Sequence, residues 1–542
     1  MLSLTPAANL PRRQARKLYR AMLIMLVSAF IAVSSRALLA QQNANDDLLD
    51  TLLQNGTITQ EQYDALKKKA GQPAQPAEAP KEAPKAEESG VKLKVGGFIE
   101  AAGIFRMRNE IADVNSSYNG GVPLPSNPNY NIPETRGSAR QSRLSLLATG
   151  DADQDTTVAG YFEADFLGVG VTSNSNESNS YVPRLRQAYL TYARSDWGTY
   201  ILAGQAWSLL TMNKADMTPR QENIPYTIDA QYTVGFNWSR NAQVRVVKEW
   251  SDKFSLGFSV ESEQAIVAAD AQPLGTATIP TCQTSVCYAN PGGSGGLLNN
   301  GAAFPSTSPL ATYTTGYVPD MILKGALDPG FGHYELYGVG RAFTSNINGG
   351  NATNWGGGVG GAMILPVLAK KVDFQASFLW GTGIGRYGSA QLPDATLKQN
   401  GQLQPLPGVD WLLGLVAHPD EKWDLYLYGG QERILNAAPY GGNFGYGNPH
   451  VDTKDCFATP TAVWTSCKAD TSNVWQVQLG SWWKFYQGKA GMMELGASYS
   501  YLSRNTFSGT GGAPSTNNNI VMLSFRYYPW QPAPAAYLKP GG

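Results

Sequence analysis

Long apolar runs are what this 542-residue sequence most clearly lacks. Past residue 40 nothing approaches the roughly 18 consecutive apolar positions that a membrane-spanning helix needs, so a helical membrane protein is excluded. Histidine is nearly absent: His333, His418 and His450 are the only three. They offer few general bases, none lies near a nucleophile elbow, and two sit on different strands, so neither an enzyme nor a metal centre is expected. No cofactor is expected either. The Gly-rich runs at 356–361 and 381–385 do not open a helix in a βαβ unit, which a phosphate cradle requires. Charge is sparse at 15% and formally balanced. Residues 1–40 read as a secretory leader, with Arg12, Arg13, Arg16, Lys17 and Arg20 ahead of an apolar core and a cleavage site near Ala40. Removing it leaves 36 basic and 42 acidic residues, a net charge of −6 that argues against a nucleic-acid partner.

What the chain does have is glycine, 58 residues, with 27 Tyr and 13 Trp, arranged with a period of two. Between 475 and 485, Trp475, Val477, Leu479, Trp483 and Phe485 alternate with Gln476, Gln478, Gly480, Trp482 and Lys484. After a Gly488–Gly491 turn, Met493, Leu495, Ala497, Tyr499 and Tyr501 resume the pattern. Period two means strand with one apolar and one polar face. Runs of about 10 residues with aromatics at the ends suit a transmembrane barrel strand better than the shorter strand of a water-soluble sandwich.

The same pattern recurs from Lys92 to the last strand at 518–527. Short connections (151–155, 194–197, 328–330, 366–370, 418–421, 487–490) alternate with mostly long ones (107–139, 167–183, 264–316, 383–407, 434–473, 505–517), which sets the periplasmic turns apart from the external loops. The segment 230–250 could be a hairpin about Ser239-Arg240-Asn241, giving seventeen strands. Read as one strand following an inward loop 208–229, it restores the alternation and gives sixteen. The expected fold is all-β, a 16-stranded antiparallel transmembrane β-barrel over 91–530, with a 12-residue tail at 531–542. A short α-helical periplasmic segment at 41–70 precedes it, where Leu48, Leu49, Leu52 and Leu53 stop at Asn55-Gly56 and Thr59 caps a second turn with Gln62. Pro73, Pro76, Pro80 and Pro84 make 71–90 an extended linker. The cysteines fall in external loops as two local pairs, Cys282 with Cys287 and Cys456 with Cys467, and read as loop-stapling disulfides.

Several segments resemble the DcaP-like porins: Arg140-Gln141-Ser142-Arg143-Leu144, Arg184-Leu185-Arg186-Gln187-Ala188-Tyr189, Gly204-Gln205-Ala206-Trp207-Ser208, Val318-Pro319-Asp320 and Gly383-Ile384-Gly385-Arg386-Tyr387. Gly56-Thr57-Ile58-Thr59-Gln60-Glu61 is similar to the segment before the barrel in phosphate-selective porins O and P. The resemblance implies a bacterial outer-membrane, trimeric, sixteen-stranded channel for small anions, with an amino-terminal coiled coil in some members. The chain departs from the pattern at its end, where Tyr527-Tyr528-Pro529-Trp530 is followed by twelve further residues.

Alternation places Arg106, Arg143, Arg186, Arg245, Arg341, Arg504 and Arg526 on the polar faces, where arginine avoids a lipid-face cost of roughly +2–4 kcal/mol. Rings of such residues select anions and phosphate. Lys214, Asp216, Arg220 and Glu222 are the expected constriction residues of the inward loop. The expected function is passive diffusion of small anionic solutes, carboxylates or phosphate-like. The alternative is a general or sugar-permeable porin, because Glu100, Glu163, Asp165, Glu335, Asp373, Asp424 and Glu494 also point inward and Tyr161, Tyr426, Tyr428 and Trp482 offer stacking surfaces. The expected partners are outer-membrane lipids, two further copies of the chain, and a periplasmic or peptidoglycan contact through the helical segment.

Overall fold

A computed structural model of the chain describes residues 59, 60, 63, 64 and 90–530, apart from 115–117, 120, 169–181, 269–315, 348–349, 369–370, 399, 401, 441, 443 and 459–466. The chain divides into two units, Met1–Lys85 and Ala86–Gly542. In the first, Tyr63 N donates to Thr59 O at 2.9 Å, the helical i to i−4 bond expected of a turn starting at Thr59. The leader, most of the leucine segment, the 71–89 stretch and the 531–542 tail lie outside the described residues.

The second unit is a closed antiparallel barrel. Its strands are β1 (Lys92–Arg106), β2 (Glu134–Ser138 continued by Arg143–Asp151), β3 (Thr156–Asp165), β4 (Arg184–Arg194), β5 (Thr199–Trp207), β6 (Arg240–Trp250), β7 (Phe254–Glu261) and β8 (Asp320–Leu327). The second half comprises β9 (His333–Ile347), β10 (Gly350–Leu368), β11 (Val372–Thr382), β12 (Pro407–Asp420), β13 (Trp423–Ile434), β14 (Thr471–Gly488), β15 (Gly491–Thr506) and β16 (Ser515–Tyr528). Each pairs with the next, and β1 closes on β16 with Ile99 opposite Tyr527 and Arg106 opposite Ile520. The count is sixteen because both pieces of β2 pair with the one strand β1. Between them Ser142 stands in for the ladder, its Oγ accepting from Glu100 N at 3.0 Å.

Closure leaves no sheet edge, and the faces sort as the alternation predicts. On β1, Ile99 is 62% exposed and Glu100 beside it 2%. Leu323, Leu427, Leu479 and Leu523 continue the exposed apolar belt. Aromatic pairs mark its short-turn end: Trp250 stacks on Phe254 at 5.6 Å and Trp423 on Trp483 at 5.9 Å. Such rings belong at the boundary between hydrocarbon and water.

One sequence expectation is corrected in detail. Residues 230–250 are not a single strand: β6 begins at Arg240, and 230–239 belong to the inward loop. A 3-10 turn at Ala230–Tyr232 and Gly235 at φ +87° break the extended backbone. The N–H groups of Val234 and Gly235 go to wall side chains, Gln476 Oε1 at 3.0 Å and Glu432 Oε1 at 2.8 Å. A Cβ at Gly235 would overlap Trp411 O, so only glycine fits this approach to the wall. The inference drawn from the long strand survives, since no hairpin interrupts 230–250 and the strand number stays even.

Of the two expected disulfides, one falls on described residues. In loop 435–470, Cys456 and Cys467 are bonded, with their Cα atoms 4.7 Å apart. Cys282 and Cys287, the other expected pair, both fall within 269–315, outside the described residues.

Candidate functional site: the passage through the barrel

The lumen is shaped by loop 208–239, most of which is buried. Leaving β5, it descends along β7 to β9. Leu209 N donates to Glu261 Oε1 at 2.9 Å, Lys324 Nζ to Thr211 O at 2.8 Å, and Asn213 N to Glu335 Oε1 at 2.9 Å. Asp216 N then reaches Asp328 Oδ2 at 3.0 Å. Asp328 belongs to the short turn between β8 and β9, so the loop spans the barrel down to its short-turn mouth. The wall beneath is a buried ionic cluster, Lys324 to Glu335 at 2.7 Å, with His333 between Asp328 at 2.8 Å and Glu335 at 3.0 Å. Desolvation makes such pairs poor sources of net stability; their use here is to fix one geometry.

The loop turns at 214–222 and climbs back along β11 to β14 and β16. Asn223 Nδ2 donates to Gln375 Oε1 at 3.1 Å, Trp482 Nε1 to Tyr226 O at 2.6 Å, and Arg526 Nη2 to Ile228 O at 3.1 Å. Near the external end Asn237 Nδ2 donates to Asp410 Oδ2 at 2.9 Å. A second loop, 383–406, packs on the first: Trp238 N donates to Tyr387 O and Ser389 Oγ to Phe236 O, at 2.8 and 2.9 Å. Glu432 ties both together, accepting from Gly235 N at 2.8 Å and Ala390 N at 2.9 Å.

What stays open is a passage between the loop and the wall formed by β1 to β4 and β13 to β16. Its main cavity measures about 530 Å³ and a smaller one, sharing Arg143, Tyr161, Glu163 and Lys214, about 240 Å³. Of the arginines assigned to the polar faces, Arg143, Arg186 and Arg526 line this space, and the loop adds Lys214, Arg220 and Glu222. Asp216 is held at the turn instead, its Oδ1 accepting from Thr218 N at 2.8 Å.

The other four arginines face inward but meet protein. Arg106 is clamped between Glu134 at 3.0 Å and Glu110 at 3.6 Å. Arg245 lies behind the loop with Gln243 Oε1 at 2.9 Å. Arg341 joins Asp320 at 3.1 Å to Asp394 at 2.6 Å, and Arg504 donates to Thr471 Oγ1 and Val122 O, both at 2.9 Å.

Lys94 and Lys484 also line the passage, and sequence reasoning did not single them out. The signal for Lys484 was there, since it shares the polar face of β14 with Trp482. The cations are not equally engaged. Arg186 is paired with Glu163 at 2.5 Å and Asp165 at 2.9 Å, Lys484 with Asp424 at 2.7 Å, and Arg526 with Glu100 at 2.9 Å. Arg143 reaches only Glu163, at 3.9 Å, and its Nε has no hydrogen-bond partner. Aromatic rings steer these groups: the Arg526 guanidinium lies 4.4 Å from the Trp482 ring centre and 4.9 Å from Phe98, and Arg143 lies 5.2 Å from Phe98.

Burial raises the Glu222 carboxyl above its ordinary range, partly offset by Arg245. Acidification therefore neutralises Glu222 at a higher pH than an ordinary glutamate. That makes the tip more positive as pH falls. Anion preference, read as the reversal potential of a salt gradient, should rise between pH 9 and pH 5. A constant or falling preference would show that the tip does not set the field.

No protein-family model and no curated protein matches the chain. Among solved structures it is similar to the outer membrane channel DcaP of Acinetobacter baumannii, at 17% identity over 81% of this chain and 98% of that one, with a TM-score of 0.53. The anion-selective porin from Comamonas acidovorans aligns at 10% identity over 81% and 99%, TM-score 0.42. OmpT of Vibrio cholerae in its trimer form aligns at 11% over 81% and 99%, TM-score 0.41. The likeness to DcaP, together with the closed sixteen-strand barrel and its apolar belt, gives this chain the fold of an outer-membrane porin.

Proposed function

We propose that the protein is a bacterial outer-membrane channel for passive diffusion of small anionic solutes, carboxylates or phosphate-like, of the DcaP-like kind. The carrying observation is the charge on the passage wall. Seven cations (Lys94, Arg143, Arg186, Lys214, Arg220, Lys484, Arg526) and five carboxylates (Glu163, Glu222, Asp229, Asp424, Glu494) line it. Asp165 and Glu100 behind Arg186 and Arg526 bring the signs level, so the positive field comes from Arg143, Lys214 and Arg220, which among the described residues make no salt bridge shorter than 3.9 Å. The mature chain is net negative, so placement and not composition supplies that field. A low-dielectric wall focuses that field on the axis, and guanidinium forks suit carboxylate and phosphate oxygens.

The working unit in this reading is a homotrimer embedded in outer-membrane lipid. Its leucine-rich amino-terminal segment associates between protomers or contacts peptidoglycan, because two such short helices are not stable alone. Proteoliposomes test the function. Efflux of a small carboxylate should be several-fold faster than that of a neutral solute of equal size. Equal rates would favour a general or sugar-permeable porin.

A further inference from the structure

The smaller cavity, about 240 Å³, differs in character from the rest of the passage. One side is the barrel wall, with Arg143 on β2, Tyr161 on β3 and Gln187 on β4; the other is the loop tip, with Lys214, Arg220 and Glu222. The tip is a tight reversal, with Asn213 bridged to Glu222 and Lys214 N donating to Gln221 O at 2.7 Å. Two of its residues, Asp216 at φ 42° and Arg220 at φ 72°, are left-handed. Non-glycine residues rarely hold that conformation unless the surroundings impose it, and it gathers at ligand sites.

The polar groups here are of both signs, and Glu222 lies within electrostatic reach of Arg245 and Lys214. Among the described residues, neither Lys214 Nζ nor the Glu222 carboxylate makes a salt bridge, while Arg220 only overlies Tyr161, 5.5 Å from its ring centre. Gln187 is 3% exposed, and its Oε1 has no hydrogen-bond partner. Buried amide oxygens are rarely left so. Glu163, the remaining carboxylate of this wall, is occupied by Arg186 and by the Tyr161 hydroxyl at 3.0 Å.

We propose that this cavity is a binding subsite for small zwitterions, solutes that carry a carboxylate and an ammonium group close together. The carboxylate is taken by Arg143 with Lys214 and Arg220. The ammonium is taken by Glu222 and the Gln187 carbonyl oxygen. A plain anion gains the cations but meets Glu222, and a plain cation meets three positive groups. Only a solute with both charges uses the whole lining. The volume falls below the roughly 300–1,000 Å³ of sites for drug-sized ligands, which restricts the occupant to a molecule the size of a small amino acid.

The subsite rests on the channel reading above, and the experiment separates the two. The purified full-length channel in planar bilayers at neutral pH is titrated with serine, with propionate (carboxylate only) and with ethanolamine (ammonium only), and the concentration that half-blocks the current is recorded. Serine should block at a concentration about fivefold or more below either single-charge probe. Glu222→Gln, which keeps the side-chain shape, should abolish that advantage and leave propionate blocking as well as before or better; open-channel conductance reports that the variant is folded. Propionate matching serine in the unmodified channel, or a serine advantage that survives Glu222→Gln, overturns the subsite. Reversal potentials in the same membranes report the channel reading separately: anion preference without serine preference sinks the subsite alone.

Discussion

Glu432→Ala should raise single-channel conductance several-fold and make the current noisy, while the barrel stays folded. Glu432 is fully buried on β13, and its carboxylate is the acceptor for Gly235 N of one lumenal loop and Ala390 N of the other. Removing it leaves two buried N–H groups without partners, at about 1–3 kcal/mol each. It also opens a void beside Gly388, whose backbone lies so close that an added Cβ would overlap Glu432 Oε2. The strand ladder through Asp410 and Glu432 uses main-chain bonds and is untouched. The loss therefore falls on the loops that fill one side of the lumen. Heat-modifiable migration on a mild gel should be preserved. Unchanged conductance with unchanged noise would mean that the loops are held without this carboxylate. Glu432→Gln, which keeps an acceptor oxygen, should give the same effect in weaker form.

Removing Arg143 and Lys214 together should abolish anion preference. Both line the passage, and among the described residues neither makes a salt bridge shorter than 3.9 Å. A unit charge about 6 Å from a permeating ion, screened as in water, is worth roughly 0.7 kcal/mol, or about a threefold change in local ion concentration. The same charge repels a cation by as much, so Arg143→Ala and Lys214→Ala should each lower the anion-to-cation permeability ratio by about the square of that factor, roughly tenfold. The double variant should lower it about a hundredfold if the two act independently. Arg143 suits this test because Glu163, its one ionic contact at 3.9 Å, keeps Arg186 at 2.5 Å when Arg143 is gone. Arg526→Ala is less informative, since it would strand Glu100, which is 2% exposed. Arg341→Ala should reduce stability instead, because Asp320 and Asp394 would be left buried without their shared cation.

The barrel was legible in the sequence because its two determinants are local. Alternation at 475–485 and 491–501 fixes which face meets lipid, and the length of each connection fixes the side on which it lies. The strand number followed from these two facts. The start of β6 did not, because Gln231 to Trp238 alternate well enough to pass for strand; what ends the strand is the demand of Glu432 and Gln476, far away in sequence, for the N–H groups of Gly235 and Val234.

The site was half legible for the same reason. Arg143 and Arg245 have the same pattern, each inward on a strand beside an outward apolar residue, Leu144 and Val244. They differ in what stands in front of them. Loop 208–239 covers Arg245 and leaves Arg143 facing the passage, and a period of two carries no information about where a loop lies. Sequence could say which residues point inward. Only the path of the loop says which of them a solute can meet.

The most direct test of the passage as an anion route is the reversal potential of the unmodified channel across a potassium chloride gradient. Positive charge on Arg143, Lys214 and Arg220 near the axis predicts preference for chloride, strong in dilute salt and fading as the Debye length shortens from about 10 Å at 0.1 M to about 3 Å at 1 M. Preference for potassium at low salt would contradict it.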